Sequence, residues 1–369
     1  MDFSFHPLRV RSVRPETAEA VVVDFDVPPG LQAAYAFIPG QYLTLRATVN
    51  GQDLRRSYSI CAGLDDGALR VGVRKVPGGV FSNWVNTELR AGDTLQVMVP
   101  QGRFFAPPQP EAAQHEAQHE AQHHLGIAGG SGITPILSIM KTVLAREPHS
   151  RFTLLYGNRQ LRSTMFRQEL ADLKDRYLTR LAVHHVFSDE HTDSEIQRGL
   201  MNREKVAAFL QTLVHAPSVS QAYLCGPFQM NDEAEAALLA AGLAPERIHV
   251  ERFGIVGAPR TGAAPASTTV ATPSAPAARI TLIRDGLQRE LRFEPGHTSV
   301  LDCASRAGLA VPNSCTSGVC GTCRAKVVEG EVQMDRNFAL DKAEVAAGFV
   351  LTCQTRPLGE RLVLSFDER

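Results

Sequence analysis

The stretch CTSGVCGTC places Cys315, Cys320 and Cys323 within nine residues, and a fourth cysteine, Cys353, follows after twenty-nine more. Cysteines in such a group could hold zinc, close disulfides or bind an iron–sulfur cluster. Structural zinc sites use two short pairs of ligands; here three cysteines share one loop and the fourth stands alone. The C-x4-C-x2-C spacing with a distant fourth cysteine is that of a [2Fe–2S] cluster. Gly318 and Gly321 suit this chemistry, because a loop wrapped around a small anionic cluster needs bare backbone whose N–H groups can face the sulfurs. Cys303, in LDCASRAG, matches no ligand position and reads as a small core residue of a helix.

A second group is Arg56-Ser57-Tyr58-Ser59. In a strand, alternation puts Arg56 and Tyr58 on one face and Ser57 and Ser59 on the other. An arginine fork suits a pyrophosphate, and a tyrosine ring suits the face of an isoalloxazine. The bare string also fits an ordinary exposed strand. VRKVPGGVFSNW follows, with Gly78, Gly79 and Ser82 at a helix start near Ser82. Free N–H groups there favour phosphate, and a glycine turn with a serine cap is a compatible reading. Gly102 and Phe104 lie in PQGRF, where Phe104 also fits a plain core role.

A third group, Gly129-Gly130-Ser131-Gly132-Ile133-Thr134-Pro135, follows an apolar strand and opens a helix. Thr134 suits the N-cap and Pro135 the first helical position. The glycines let backbone approach a dinucleotide pyrophosphate at the helix start. Tyr156-Gly157-Asn158-Arg159 and Cys225-Gly226-Pro227 close two further apolar strands. In a parallel sheet all three loops share the carboxyl edge, where ligands bind. Arg159 could pair with a 2′-phosphate, favouring NADPH over NADH, or serve a structural role. Cys225 alone would read as an inert core thiol.

These groups need elements to position them. Residues 1–108 carry AVVVDFDV, QYLTLRATV, RSYSIC, ALRVGVRKV and TLQVMV, short alternating runs between Gly, Pro and Asp turn signals, which predict an antiparallel β-barrel. Residues 109–124, QPEAAQHEAQHEAQHH, form a low-complexity connection with a four-residue beat. As a helix the beat would align His115, His119 and His123 on one face, as a metal site requires; the plainer reading is an expanded surface loop. Residues 125–255 alternate apolar strands with amphipathic helices, the pattern of a parallel α/β sheet. Residues 256–278 are rich in Ala, Pro, Thr and Ser and read as a linker. Residues 279–369 form a third unit, opening on a hairpin that turns at Asp285–Gly286.

The chain has 369 residues, too many for one ordinary core, and a formal net charge of −1. That balance supplies no global field to attract nucleic acid or an anionic membrane. The N-terminus lacks a basic region before a long apolar run, and no eighteen-residue apolar run occurs, so the expected location is the cytoplasm. Disulfides are rare there, which turns clustered cysteines toward metal or redox work. The isolated chain is expected to be a monomer.

LRRSYSIC, VMVPQGRF, AGGSGITPIL, LLYGNR, MFRQELADLKDRY, CGP, ERF and the cysteine loop together resemble the ferredoxin–NADP⁺ reductase superfamily joined to a plant-type ferredoxin. The order of parts is similar to reductase components of multicomponent oxygenases, and most similar to the reductase subunits of phenylacetyl-CoA epoxidases. The resemblance implies an FAD barrel, an NAD(P) domain and a C-terminal β-grasp domain whose cluster is held by Cys315, Cys320, Cys323 and Cys353. It implies that Arg56 binds the FAD pyrophosphate, Tyr58 stacks on the flavin, Ser59 lies near N5, and Gly102 and Phe104 flank the adenine end. It places Cys225 beside the reactive nicotinamide carbon and Glu251 and Phe253 near the flavin. Electrons would then pass from NAD(P)H to FAD, to the cluster and to a separate di-iron epoxidase complex. A Rieske oxygenase for steroids or aromatics, or a hybrid-cluster protein, is an alternative acceptor. A non-catalytic redox-sensing module is a further alternative, and the intact RSYS and GGSGITP segments argue against it.

Overall fold

The computed structural model describes residues 3–105, 121–253 and 277–368. Two compact units emerge, one spanning Ser4–Phe253 and a second holding the cysteine-rich C-terminal region.

The first unit begins with six antiparallel strands: β1 (Phe5–Thr17), β2 (Ala20–Asp26), β3 (Tyr42–Val49), β4 (Gln52–Ser59), β5 (Leu69–Arg74) and β6 (Thr94–Met98). They pair in the order β4-β3-β6-β1-β2-β5. A bridge between Ile60 and Val71 joins the two edges, closing the sheet. Closure follows from alternation: Val10, Val23, Leu43, Leu45, Val71, Val73 and Val97 are fully buried, every second residue facing one interior. Helix α1 (Val80–Thr87) adds Phe81 and Val85 to that core. The reading of the sequence omitted β1. Its alternation is broken by Pro7 and Pro15 and by register shifts at Val10/Ser12 and Pro15/Thr17, so the period-two signal is weak there.

The same unit continues as β7 (His123–Gly129), α2 (Ile133–Arg146), β8 (Arg151–Asn158), α3 (Arg167–Arg176), β9 (Leu181–Phe187), α4 (Arg203–Thr212), β10 (Gln221–Gly226), α5 (Phe228–Ala240) and β11 (Ile248–Arg252). The strands are parallel, in the order β11-β10-β7-β8-β9. Chain direction across the sheet reverses between β7 and β10, and their carboxyl ends form the switch point where ligands bind. Every residue of β7 is buried, as expected for a central strand covered on both faces.

Three expectations are corrected. His123 and His124, placed by composition in the 109–124 connection, are buried strand residues of β7. The His123 ring bonds Ser218 Oγ and Thr153 Oγ1, both at 2.9 Å, so it is not part of a helical row with His115 and His119, which lie outside the described residues. Likewise most of 256–278 lies outside them, but Ala278 already belongs to a strand. Finally, Thr134 is not the N-cap of α2. A short 3₁₀ turn, Gly130–Gly132, brings the helix forward, Gly132 is the N-cap, and Thr134 Oγ1 donates to Ser131 O at 3.0 Å.

The second unit contains β12 (Ala278–Arg284), β13 (Leu287–Phe293), α6 (Val300–Arg306), β14 (Arg324–Glu329), β15 (Val332–Met334), α7 (Lys342–Ala346), β16 (Phe349–Leu351), β17 (Thr355–Pro357) and β18 (Arg361–Ser365). The main sheet runs β13-β12-β18-β14-β16, with β12 and β18 parallel, and α6 packs on it in a β-grasp arrangement. Asp285 and Gly286 both have positive φ, as the two-residue hairpin turn requires. Cys303 is 2% exposed in this core, its Sγ donating to Arg292 O. Among the described residues no helix is long and apolar enough to cross a membrane.

Candidate functional site

In the second unit the cysteine loop connects α6 to β14, and Cys353 lies just after β16. The side chains of Cys315 and Cys320 hydrogen-bond to each other, as do those of Cys323 and Cys353. Sharing a proton with Cys320 pulls the Cys315 thiol down to about 5, against burial. Cys353 is likewise lowered by Cys323. The other member of each pair is pushed well above the usual thiol range. Among the described residues no three acidic, histidine or cysteine side chains converge on a single ion. Two separate thiol pairs are what a binuclear iron centre needs, one pair per iron, and what a single zinc ion does not.

The loop backbone is shaped for close approach. Thr316, Gly318 and Gly321 have φ of 55°, 82° and 71°. The N–H groups of Ser317 and Val319 face the Cys315 sulfur, and that of Gly318 faces Cys353. A Cβ at Gly318 would lie 3.1 Å from Arg336 O, and φ there is 82°, so a side chain would be both crowded and strained. Cys323 and Cys353 are buried while Cys315 and Cys320 are half-exposed; one edge of the site reaches solvent.

In the first unit the RSYS segment occupies the end of β4. Arg56 is exposed, with its guanidinium donating to Arg55 O at 2.7 Å. Ser57 Oγ lies 3.2 Å from Thr44 Oγ1. The Tyr58 ring stacks on Phe81 of α1 with centroids 6.1 Å apart, and burial raises its hydroxyl above the usual phenol range. Ser82 Oγ accepts from Val76 N at 3.1 Å and donates to Gly79 O at 3.3 Å. It therefore shapes the glycine turn, and Gly79 is the N-cap of α1. Gly78 is exposed with φ of 73° and nothing within 4 Å of an added Cβ. Gly102 has φ of 110° and accepts at its carbonyl from Gln41 Nε2. Phe104 is buried and meets Tyr223 edge-on at 5.7 Å.

The strand ends of the parallel sheet supply the other side. A Cβ at Gly132 would fall 2.0 Å from Cys225 O, so the loops after β7 and β10 touch backbone to backbone. Gly130 has φ of 54°; its carbonyl accepts from Tyr156 Oη at 3.0 Å. Ser131 is half-buried in the same turn, and Pro135 is buried in the first turn of α2. Gly226 follows Cys225 in β10, and Pro227 leads into α5. Asn158 ends β8 half-buried and Arg159 is exposed beyond it. Phe253 packs partly buried on the apolar core.

These two sides meet. Ser59 Oγ lies 3.5 Å from Glu251 Oε1, joining β4 to β11. Burial pushes the Glu251 carboxyl up to about 8, only partly opposed by Ser59, so it is neutral near pH 7. Burial and then Glu251 push the Cys225 thiol well above its usual range, so it is no thiolate nucleophile. Glu251 Oε2 is buried without a partner among the described residues. An orphaned buried oxygen where β4 meets β11 fits a site completed by a group from outside the chain.

Sequence reading missed residues that shape this site. Asn231 Nδ2 donates to Gly226 O and Glu251 O, at 3.3 and 3.1 Å, locking β10 to β11. Arg74 Nη1 lies 3.0 Å from where a Cβ of Gly130 would sit, which brings a cation to the glycine turn. Neither belongs to a contiguous motif; a buried Asn on an apolar helix face was the one available signal.

Three domain-family models match the chain: an oxidoreductase FAD-binding domain over residues 9–105, an oxidoreductase NAD-binding domain over 127–236 and a 2Fe-2S iron-sulfur cluster binding domain over 282–358. The chain is 43% identical over 366 residues to a 1,2-phenylacetyl-CoA epoxidase component from Escherichia coli (strain K12), covering 99% of each. It is 33% identical over 363 residues to the ferredoxin reductase component of 3-ketosteroid-9-alpha-monooxygenase from Rhodococcus rhodochrous, covering 97% of this chain and 96% of that one. Among solved structures, phthalate dioxygenase reductase aligns over 98% of both chains at 24% identity with a TM-score of 0.58, a likeness of fold.

Proposed function

This chain belongs to the family of FAD-, NAD- and [2Fe–2S]-binding reductase components of oxygenases, and we propose that its partner is a di-iron phenylacetyl-CoA epoxidase. A bound pyridine nucleotide, FAD and iron–sulfur cluster supply hydride donation, two-electron storage and one-electron relay. The chain's residues bind and orient these groups. Arg56, Ser57, Gly78, Gly79, Ser82, Gly102 and Phe104, with Tyr58 and Ser59, would hold the FAD. Gly130, Ser131, Gly132, Thr134, Pro135, Asn158, Gly226 and Pro227 hold the nucleotide. Cys225, Glu251 and Phe253 would line the side of the site between the two bound groups, where Glu251, kept neutral near pH 7 by burial, would add no charge. Cys315 with Cys320, and Cys323 with Cys353, hold the two irons. The Ser59–Glu251 contact carries this reading, since it brings the flavin strand and the nicotinamide edge together in one compact unit.

NADPH is the proposed donor. Arg159 suits a 2′-phosphate, and the chain just after it helps line a groove of about 430 Å³ with Gln160, Leu161, Arg162, Arg167 and Glu190, two cations against one carboxylate. The epoxidase reading rests on the 43% identical relative. Its test is reconstitution with purified epoxidase and phenylacetyl-CoA. NADPH oxidation coupled to epoxide formation is expected. Coupling to a Rieske ketosteroid oxygenase, with none to the epoxidase, would transfer the assignment to the steroid branch.

A further inference from the structure

Gln354 follows the last cysteine directly, and its side chain turns back over the cluster loop. Its Nε2 lies 2.9 Å from Thr316 O, 3.0 Å from Cys353 O and 3.7 Å from Cys353 Sγ, the last suiting the larger sulfur atom. One amide thus spans the two segments that carry the cysteines. Its main chain is fixed on both sides: Gln354 N donates to Leu351 O at 2.8 Å, and Gln354 O accepts from Asp335 N at 2.9 Å. The stem fills the space opposite Gly318, where an added Cβ would stand 3.2 Å from Gln354 Cγ. Thr316, whose carbonyl the amide holds, is a non-glycine residue in the left-handed region at φ 55°, a conformation that persists only when its surroundings fix it.

We propose that Gln354 is a positioning residue that sets the reduction potential of the iron–sulfur site, by donating to the Cys353 sulfur while pinning the Thr316 carbonyl. This rests on the assignment of the four cysteines as cluster ligands. A ligand sulfur carries more negative charge when its cluster is reduced, so an N–H donor favours the reduced state and raises the potential. Thr322 makes the corresponding contact in the other pair, its Oγ1 lying 3.2 Å from Cys320 Sγ. A metal-bound thiolate has no proton to give, so that hydroxyl then becomes the donor. The Cys315–Cys320 pair therefore has Ser317 and Thr322 as side-chain partners, and the Cys323–Cys353 pair has Gln354.

The test is a potentiometric titration of the full-length holoprotein, read by visible absorption and electron paramagnetic resonance. Gln354→Met keeps the stem and removes the amide. Its cluster is expected to assemble and to be harder to reduce by up to about tenfold in the one-electron equilibrium, equal to 59 mV. Thr322→Val is expected to shift the potential in the same direction. An assembled cluster with unchanged potential in Gln354→Met would overturn the proposal. If Gln354→Met does not assemble, Gln354→Glu keeps the size and polarity but offers no donor when ionised, and an unshifted potential there overturns it equally. Wild-type protein without [2Fe–2S] absorption or resonance would instead overturn the ligand assignment itself.

Discussion

Glu251 shows how a single buried group can be tuned by its place in the fold. Its carboxyl is raised from 4.5 to about 8, chiefly by burial. Between those values the unfolded chain has released the proton and the folded chain has kept it, so stability falls as pH rises through that window. Glu251→Gln removes the titration. Its urea midpoint is expected to vary less between pH 5 and pH 8 than that of the wild type, and an equally steep fall would show that other groups govern this limb. His123 gives the opposite sign. Burial first, then Arg151 and His124, lowers its pKa from 6.5 to about 4. The unfolded chain takes up that proton first, so stability is lost as pH falls from 6.5 toward 4. His123→Gln is expected to flatten that acid limb in the same urea series.

At the scale of elements, two glycines separate packing from conformation. Gly132 stands against the Cys225 carbonyl at 2.0 Å from a would-be Cβ, and backbone cannot step aside. Gly132→Ala is expected to cost at least about 3 kcal/mol or to prevent folding. Gly78 has positive φ with open space around it, so Gly78→Ala is expected to cost only about 1 kcal/mol, from strain alone. Chemical denaturation of the two variants checks the contrast; Gly132 has ordinary φ of −63°, so equal losses would mean that the Cys225 contact costs no more than strain does at Gly78. The βα alternation and the barrel strands were legible because their burial follows a period of two or a strand–helix rhythm. β1 was not, since its prolines and bulges interrupt the rhythm. β7 was read two residues short because His123 and His124 share the composition of the segment before them. The cysteine pairs were legible from spacing. Arg74, Asn231 and Gln354 were not, because their partners are far apart in sequence or chosen by a side-chain rotamer, and no local pattern records either.

At the scale of the whole first unit, the barrel and the parallel sheet are tied by polar contacts as well as by packing. Ser138 Oγ donates to Ala62 O at 2.6 Å, and Leu64 N donates to Thr142 Oγ1 at 3.2 Å. Arg70 and Lys141 share the carboxylates of Asp66 and Glu169. The Glu16 carboxylate of β1 accepts from Phe166 N at 2.5 Å, at the start of α3, where Phe166 holds φ at 57°. A carboxylate from one lobe caps a helix of the other. Glu16→Ala is expected to cost about 1–2 kcal/mol and to weaken NADPH binding at the groove that α3 borders. A raised KM with nearly unchanged kcat in artificial-acceptor assays would be its signature, whereas unaltered stability and KM would deny the clasp any role. The central claim is that one chain takes electrons from a pyridine nucleotide and delivers them to its own cluster. An anaerobic visible titration of purified holoprotein with NADPH, and then with NADH, tests this most directly. Bleaching of both the flavin and the iron–sulfur bands is the predicted result, faster with NADPH. Flavin bleaching with persistent iron–sulfur bands, or no iron–sulfur absorption in the intact protein, would contradict it.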